Sequence, residues 1–300
     1  MRLCMLISLA VFFPVVAAAG IPEVLAKIET GQKPCEAAHG LGSIWVANDA
    51  SGTLARIDPR TNRVTQRIRI ATGICPVTVA GGRVWVASYR TGLVYRVDPE
   101  NGRIVSRAKV GRWPAHFALL RGNVLVSVFE LGLVIRLDAR TGRLRGAYSV
   151  GGTPSGLAVA SGKLWVTFAR SSVLARIDPA SGRVKRFPLR HEGPGFLTAI
   201  AGHLWTSTAR HVLRVDPSTG RVVATFAVAG TPADIAASSD GTIWIADKER
   251  SNVTRIDPDA NRIIDTVAAG RGAYSVLSAA KDIWVTSYAG SDVWRFNARD

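Results

Sequence analysis

Apolar and polar residues alternate with a period of two in short runs along the whole chain, and no segment after residue 20 sustains a 3.6-residue period. One stretch reads VTVA (77–80), RVWVASY (83–89), GLVYRVD (92–98) and RIVSRAKV (103–110), four β-type runs in succession. Turn formers separate them: Gly81-Gly82, then Arg90-Thr91-Gly92, then Pro99-Glu100-Asn101-Gly102. The unit recurs. Trp45, Trp85, Trp165, Trp205, Trp244 and Trp284 mark one place on the second run at steps of 40 residues (39 once), with Leu125 filling the gap. Asp58, Asp98, Asp138, Asp178, Asp216 and Asp257 keep the same beat, and Asn297 ends it. Four strands in about forty residues, seven times over, predict an all-β fold: a seven-bladed β-propeller with four antiparallel strands per blade.

The recurring D-P-x-[ST]-G-R turn has a mechanical reading. Proline presets φ, the Asp carboxylate accepts backbone N–H bonds, and Gly102, Gly142, Gly182 and Gly220 supply the left-handed residue. Asn62 and Asn261 replace Gly, as the next most tolerant residue there. The tryptophans recur at one position, so they read as core between blades. The last unit stops after its third strand at 293–297, and residues 22–31 match the fourth-strand pattern. The N-terminal strand is therefore expected to complete blade 7 and close the ring.

This pattern, [IV]-W-V-A, then R-[IV]-D-P-x-[ST]-G-R, then G-x-x-P, resembles the seven-bladed propellers of the virginiamycin B lyase-like and YVTN-repeat families over nearly the whole chain. The resemblance implies the fold. It also implies a possible metal-dependent lyase or lactonase-type activity, with a histidine base and a metal held by glutamates on inner strands. Glu36 and His116 occupy such positions but lie two blades apart, and blade 7 offers Tyr274 and Ser275 without a carboxylate.

Residues 1–19 read as a secretory signal: Arg2, the apolar run 6–13, and the small residues Ala17-Ala18-Ala19. The expected product is a single propeller domain over residues 20–300, secreted or periplasmic, monomeric and without a membrane span. Cys35 and Cys75 then remain in an oxidising compartment, in the same register on adjacent blades. A disulfide between them is expected; two buried thiols are the alternative.

The net charge is +16, from 38 Lys and Arg against 22 Asp and Glu. Much of the excess is built into the repeat. Arginines precede the turn aspartates (Arg56, Arg96, Arg136, Arg176, Arg214, Arg255, and Arg295 before Asn297) and follow them (Arg63, Arg103, Arg143, Arg183, Arg221, Arg262). They are expected on outer strands and turns, pairing with aspartate and covering apolar surface with their stems. No nucleic-acid motif accompanies the charge, so an anionic glycan, lipid head group or acidic partner is expected ahead of nucleic acid.

The ligand-facing mouth is expected where outer strands lead into the next inner strand and where second strands lead into third. Tyr89, Arg90, Arg112, Trp113, His116, Glu130, Arg170, Arg210, Tyr274 and Tyr288 are the candidate binding residues, an aromatic and cationic set suited to a small anionic or sugar-like ligand or a protein partner. Trp113 lies outside the repeat, so it either stacks on a ligand or plugs the channel. Glu36 and His116 are the candidate catalytic pair. Asp234 and Asp247 are the candidate ligands for a hard cation, Mg²⁺ or Ca²⁺, although two oxygens fall short of a full shell. The expectation is binding without turnover and without a cofactor. His191, in the irregular loop 189–194, is a further isolated candidate.

Overall fold

A computed structural model describes residues 20–298; residues 1–19, which read as a secretory signal, lie outside the described residues. The described chain forms seven four-stranded antiparallel sheets arranged as blades. In blades 1 to 6 the strands follow chain order from the channel outward. Blade 1 is Pro34–Gly40, Ser43–Asn48, Thr53–Asp58 and Arg63–Arg69. Blade 7 is composite. Its inner strand Ala273–Ala279, second strand Asp282–Ser287 and third strand Asp292–Asn297 are completed by Val24–Glu29, which pairs antiparallel with Asp292–Asn297 (Lys27 opposite Trp294, Glu29 opposite Asp292). The N-terminal strand closes the ring and covers the edge that blade 7 would otherwise expose.

The repeat residues build this frame. All six repeat tryptophans and Leu125 are at most 1% exposed, each sharing a core cluster with residues of a neighbouring blade. Trp45, for example, packs with Val84, Val86 and Tyr95. Burial of such a side chain contributes about 4–6 kcal/mol before entropy is subtracted. Each turn aspartate accepts backbone N–H bonds from within its own turn, as Asp58 does from Arg60 (2.9 Å) and Asp216 from Ser218 (2.8 Å). Gly102, Gly142, Gly182 and Gly220 hold φ between 71° and 79°, and Asn62 and Asn261 take φ of 57° and 52°.

Of the arginines before these turns, Arg255 and Arg295 pair with aspartates (Asp265 and Asp282), though not with the turn aspartates, and most cover the apolar face of a repeat tryptophan. The guanidinium of Arg56 lies 5.3 Å from the Trp45 ring, and those of Arg96, Arg176, Arg214, Arg255 and Arg295 repeat the arrangement in their own blades. Arg56 then donates to the Pro99 carbonyl of the next blade, Arg214 to that of Pro258, and Arg295 to that of Pro59 across the ring closure. The turn carboxylates are occupied by backbone N–H groups, so the arginine reaches past them to a neighbour's carbonyl. It is a clasp between blades. Of the arginines after the turns, only Arg262 forms an ion pair with its turn aspartate, at 3.9 Å, among the described residues.

A second set of contacts laces the channel wall. Ser127, Thr167 and Thr286 on second strands donate to inner-strand or adjoining carbonyls of the next blade (Ser155, Gly195 and Cys35) at 2.6–2.7 Å. Cys35 and Cys75 are joined by a disulfide between the inner strands of blades 1 and 2, with Cα atoms 5.1 Å apart. Among the described residues no helix is long and apolar enough to cross a membrane.

Candidate functional site

A cavity of about 630 Å³ opens at the end of the channel where second strands turn into third. Its wall is set by one column of the repeat, the residue just after each second strand. Asp49, Tyr89, Phe129, Lys248 and Tyr288 occupy that column and all line the cavity. The two cysteines and Glu36 lie below them, with Trp113, His116, Phe196 and Tyr274 entering from the loops and inner strands.

Asp49 ties three consecutive blades together across the ring closure. It is 5% exposed and accepts the Tyr89 hydroxyl at 2.9 Å and the Tyr288 hydroxyl at 2.6 Å. Burial and these hydrogen bonds hold both phenols above their usual range, so they remain donors. Tyr89 stacks on Trp113 at 5.2 Å with 16° between planes. Tyr274 packs against both Tyr288 and Phe196 at 5.4 Å. Cations sit over these rings: Lys248 Nζ is 4.9 Å from Tyr288 and 5.3 Å from Tyr274, and the Arg170 guanidinium is 5.3 Å from Phe129.

Trp113 is unusual within the frame. In four blades the residue immediately before the inner strand has positive φ: Lys33 (54°), Gly73 (72°), Trp113 (60°) and Gly272 (64°). The left-handed region costs an L-residue about 1–2 kcal/mol relative to glycine. Trp113 bears that cost while half of its surface, 50%, stays in solvent. Its backbone is held there by bonds to Tyr89 and Phe129, which leaves the indole half exposed at the mouth.

Deeper in the channel, Glu36 is buried and His116 and Asp234 are partly buried, and none of the three has an ion-pair partner among the described residues. Burial pushes the Glu36 carboxyl well above its usual range, and the charge of Asp234 adds to the effect. Burial also raises Asp234, to about 6, against the opposing bonds from the Ser275 hydroxyl and the Ile235 and Val276 amides. It lowers His116 to about 4, and His116 Nδ1 accepts from the Leu157 amide at 3.4 Å.

The expected site residues divide accordingly. Tyr89, Trp113, His116, Arg170, Tyr274, Tyr288 and Glu36 come together around the cavity. Arg90, Arg112, Glu130 and Arg210 do not line it. Arg90 follows cavity-lining Tyr89, with its stem against Gly73 and its guanidinium at the rim, 5.8 Å from the Tyr89 ring. Glu130 follows Phe129 and caps the rim loop by accepting the Arg112 amide at 3.2 Å. Asp234 lies in the channel below the mouth, whereas Asp247 caps its own loop by accepting the Thr231, Glu249 and Arg250 amides at 3.0–3.1 Å. His191 instead pairs with His211, ring centroids 4.6 Å apart, away from the mouth cavity. Asp49 and Lys248 were missed. Their signal was available in the column they share with Tyr89 and Tyr288.

Among solved structures, a streptogramin B lyase matches with a TM-score of 0.79 at 15% identity, over 91% of this chain and 96% of that one. The chain has the virginiamycin B lyase-like propeller fold. A catalytically inactive virginiamycin B lyase from Staphylococcus aureus with quinupristin matches at 0.78 and 17% identity, over 92% and 97%. Hydrazine synthase from Kuenenia stuttgartiensis matches equally well at 0.78 and 16% identity, over 88% and 95%, so the likeness is one of fold across unrelated activities. No protein-family model matches the sequence. No curated protein matches it at a significant level.

The metal that a lyase of this fold would imply does not suit these residues. Both oxygens of Asp234 are engaged by three donors, and Asp247 spends Oδ1 on its loop, leaving Oδ2 as a lone buried oxygen without a hydrogen-bond partner among the described residues. Among the described residues no three His, Cys, Asp or Glu side chains are grouped as a metal site would require. What the arrangement can do is hold a ring against Tyr89 and Trp113 while presenting Arg170 and Lys248 to a negative group.

Proposed function

We propose that the mouth binds a small ligand carrying a flat or pyranose ring and an anionic group, such as a sugar acid, without turning it over. The carrying observation is Trp113: an exposed indole, kept in a left-handed conformation where Gly73 and Gly272 stand in other blades, and stacked on Tyr89. A ring stacking on Trp113 gains cation-facing neighbours in Arg170 and Lys248. The cavity volume, about 630 Å³, suits a mono- or disaccharide-sized ligand. Turnover is disfavoured by His116, whose basicity near pH 4 makes it a poor proton acceptor at neutral pH. The Cys35–Cys75 bridge supports action in an oxidising compartment, secreted or periplasmic.

Calorimetric titration with glucuronate and with glucose 6-phosphate tests this reading. Saturable binding of either, weakened about 10-fold or more by Trp113→Ala and by Arg170→Ala, is expected. Binding unaffected by both substitutions, or release of a modified product from either probe, contradicts it.

A further inference from the structure

The outer surface of the propeller is electrically lopsided. The fourth strands of blades 1 to 4, each with the turn residue or strand start before it (63–69, 103–109, 143–149 and 183–188), carry eleven Lys and Arg and no Asp or Glu. All eleven are exposed. Among the described residues only Arg145 has a carboxylate partner, Asp138. The corresponding strands of blades 5 to 7 (221–227, 262–268 and 24–29) carry three cations, Arg221, Arg262 and Lys27, offset by Asp265 and Glu29.

Two ordinary explanations fall short. Charged side chains on an outer strand guard its free edge against pairing with other sheets. Blades 5 to 7 have the same free edges and manage with Val223, Thr225, Ala227, Thr266 and Ala268, so edge protection does not require eleven cations. Nor are these the clasping arginines, which sit on third strands over the tryptophans. Several belt cations are instead held outward by backbone carbonyls: Arg67 donates to those of Glu29 and Thr30 at 3.1–3.2 Å, and Lys109 to that of Thr91 at 2.6 Å. Held cations lose less freedom on binding.

The shape selects the partner. Four successive blades of seven turn the belt through about 150° of a convex wall. A flat bilayer touches only a fraction of such a surface. Duplex DNA, with a persistence length of about 50 nm, resists wrapping it. Single-stranded nucleic acid binds through stacked bases, and the aromatic residues of the belt strands, Tyr148 and Phe187, are buried. From this we infer that the outer wall of blades 1 to 4 binds a flexible acidic polysaccharide along its length, a surface separate from the mouth.

The test measures affinity of the full chain for heparin (sulfated), polygalacturonate (carboxylated) and phosphatidylglycerol vesicles across a salt series. Native protein is expected to bind at least one polysaccharide at about 50 mM salt, with affinity falling steeply as salt rises. Preference between the two identifies the charged group. The joint variant Arg63→Gln, Arg69→Gln, Arg103→Gln and Arg143→Gln is expected to weaken binding about 10-fold or more and flatten the salt slope. The control Arg221→Gln, Arg250→Gln, Arg262→Gln and Lys281→Gln loses the same charge and is expected to stay within about 3-fold of native. Should the joint variant melt early, the four single substitutions give the same reading as graded losses. Equal losses in both four-site variants, binding to vesicles but to neither polysaccharide, no binding at all, or loss on Trp113→Ala would each overturn the inference.

Discussion

At one end of the propeller the turns between third and fourth strands use nearly the same chemistry in blade after blade; at the other end the loop residues vary from blade to blade. The Asp-capped turn recurs from Asp58 to Asp257 with Gly or Asn in the left-handed position. At the mouth, the column after the second strand runs Asp49, Tyr89, Phe129, Ala169, Ala209, Lys248, Tyr288. Both ends sit on the same sheets, so the contrast does not arise from the frame. Repeated residues close blades on one another, and the residues that break the repeat are free to meet something else. In a protein built this way, departure from the period is the signal for function.

Substitutions on either side of that divide should move different quantities. The largest loss of stability is expected on the repeated side. Trp165→Ala empties a fully buried inter-blade site and should cost about 3–5 kcal/mol, read as a lower denaturant midpoint, with the mouth's binding unchanged in the folded fraction. Arg295→Ala comes next. Arg295 pairs with Asp282 and reaches Pro59 and Asn62 across the closure, both partners of the ion pair being largely buried. Removing it strands the carboxylate and should cost about 3 kcal/mol in chemical denaturation. A loss below about 0.5 kcal/mol would mean the clasp is ornamental at the seam.

The channel beneath the mouth should answer to pH. The folded state holds Glu36 and Asp234 protonated above the ordinary carboxylate range, so their contribution is present at low pH and is lost as pH rises through about 6 for Asp234. His116 has the opposite sign. Pushed down to about 4, it refuses a proton that the unfolded chain accepts, so stability falls as pH drops from about 6.5 to 4. Glu36→Gln removes one carboxyl from this balance. Its melting temperature should match native at low pH and exceed it as pH rises above the ordinary carboxylate range; a gap constant from low pH upward would contradict the burial of an ionisable group there. The smallest stability effect is expected at the mouth itself. Trp113→Gly releases the left-handed strain and should leave stability unchanged or raise it by up to about 1 kcal/mol.

The frame was largely legible because its signals are local and repeated: a tryptophan every forty residues, a capped turn, a missing fourth strand at one terminus. The cysteine register likewise pointed to the pair that the structure joins. The mouth was half legible. Tyr89, Tyr274, Tyr288 and Trp113 stood out by type, but which loop residues line the cavity and which stay at its rim, as Arg90 does, depends on how the loop leaves the sheet. Asp49 and Lys248 lacked the aromatic character that drew attention to their column, and Asp49 acquires its role only when blades 7 and 2 bring their tyrosines to it. The reach of the arginine clasps to the next blade was not legible for a similar reason. Sequence neighbours suggested Arg–Asp pairs, while the acceptors lie about 44 residues ahead on the adjoining blade.

The account stands most directly on the indole at position 113. Its fluorescence, isolated as the difference between native protein and Trp113→Phe, can be followed during titration with glucuronate or glucose 6-phosphate. A saturating change in that difference signal, with the six core tryptophans unaffected, is the predicted result. Binding of either probe that leaves the Trp113 signal flat would contradict it.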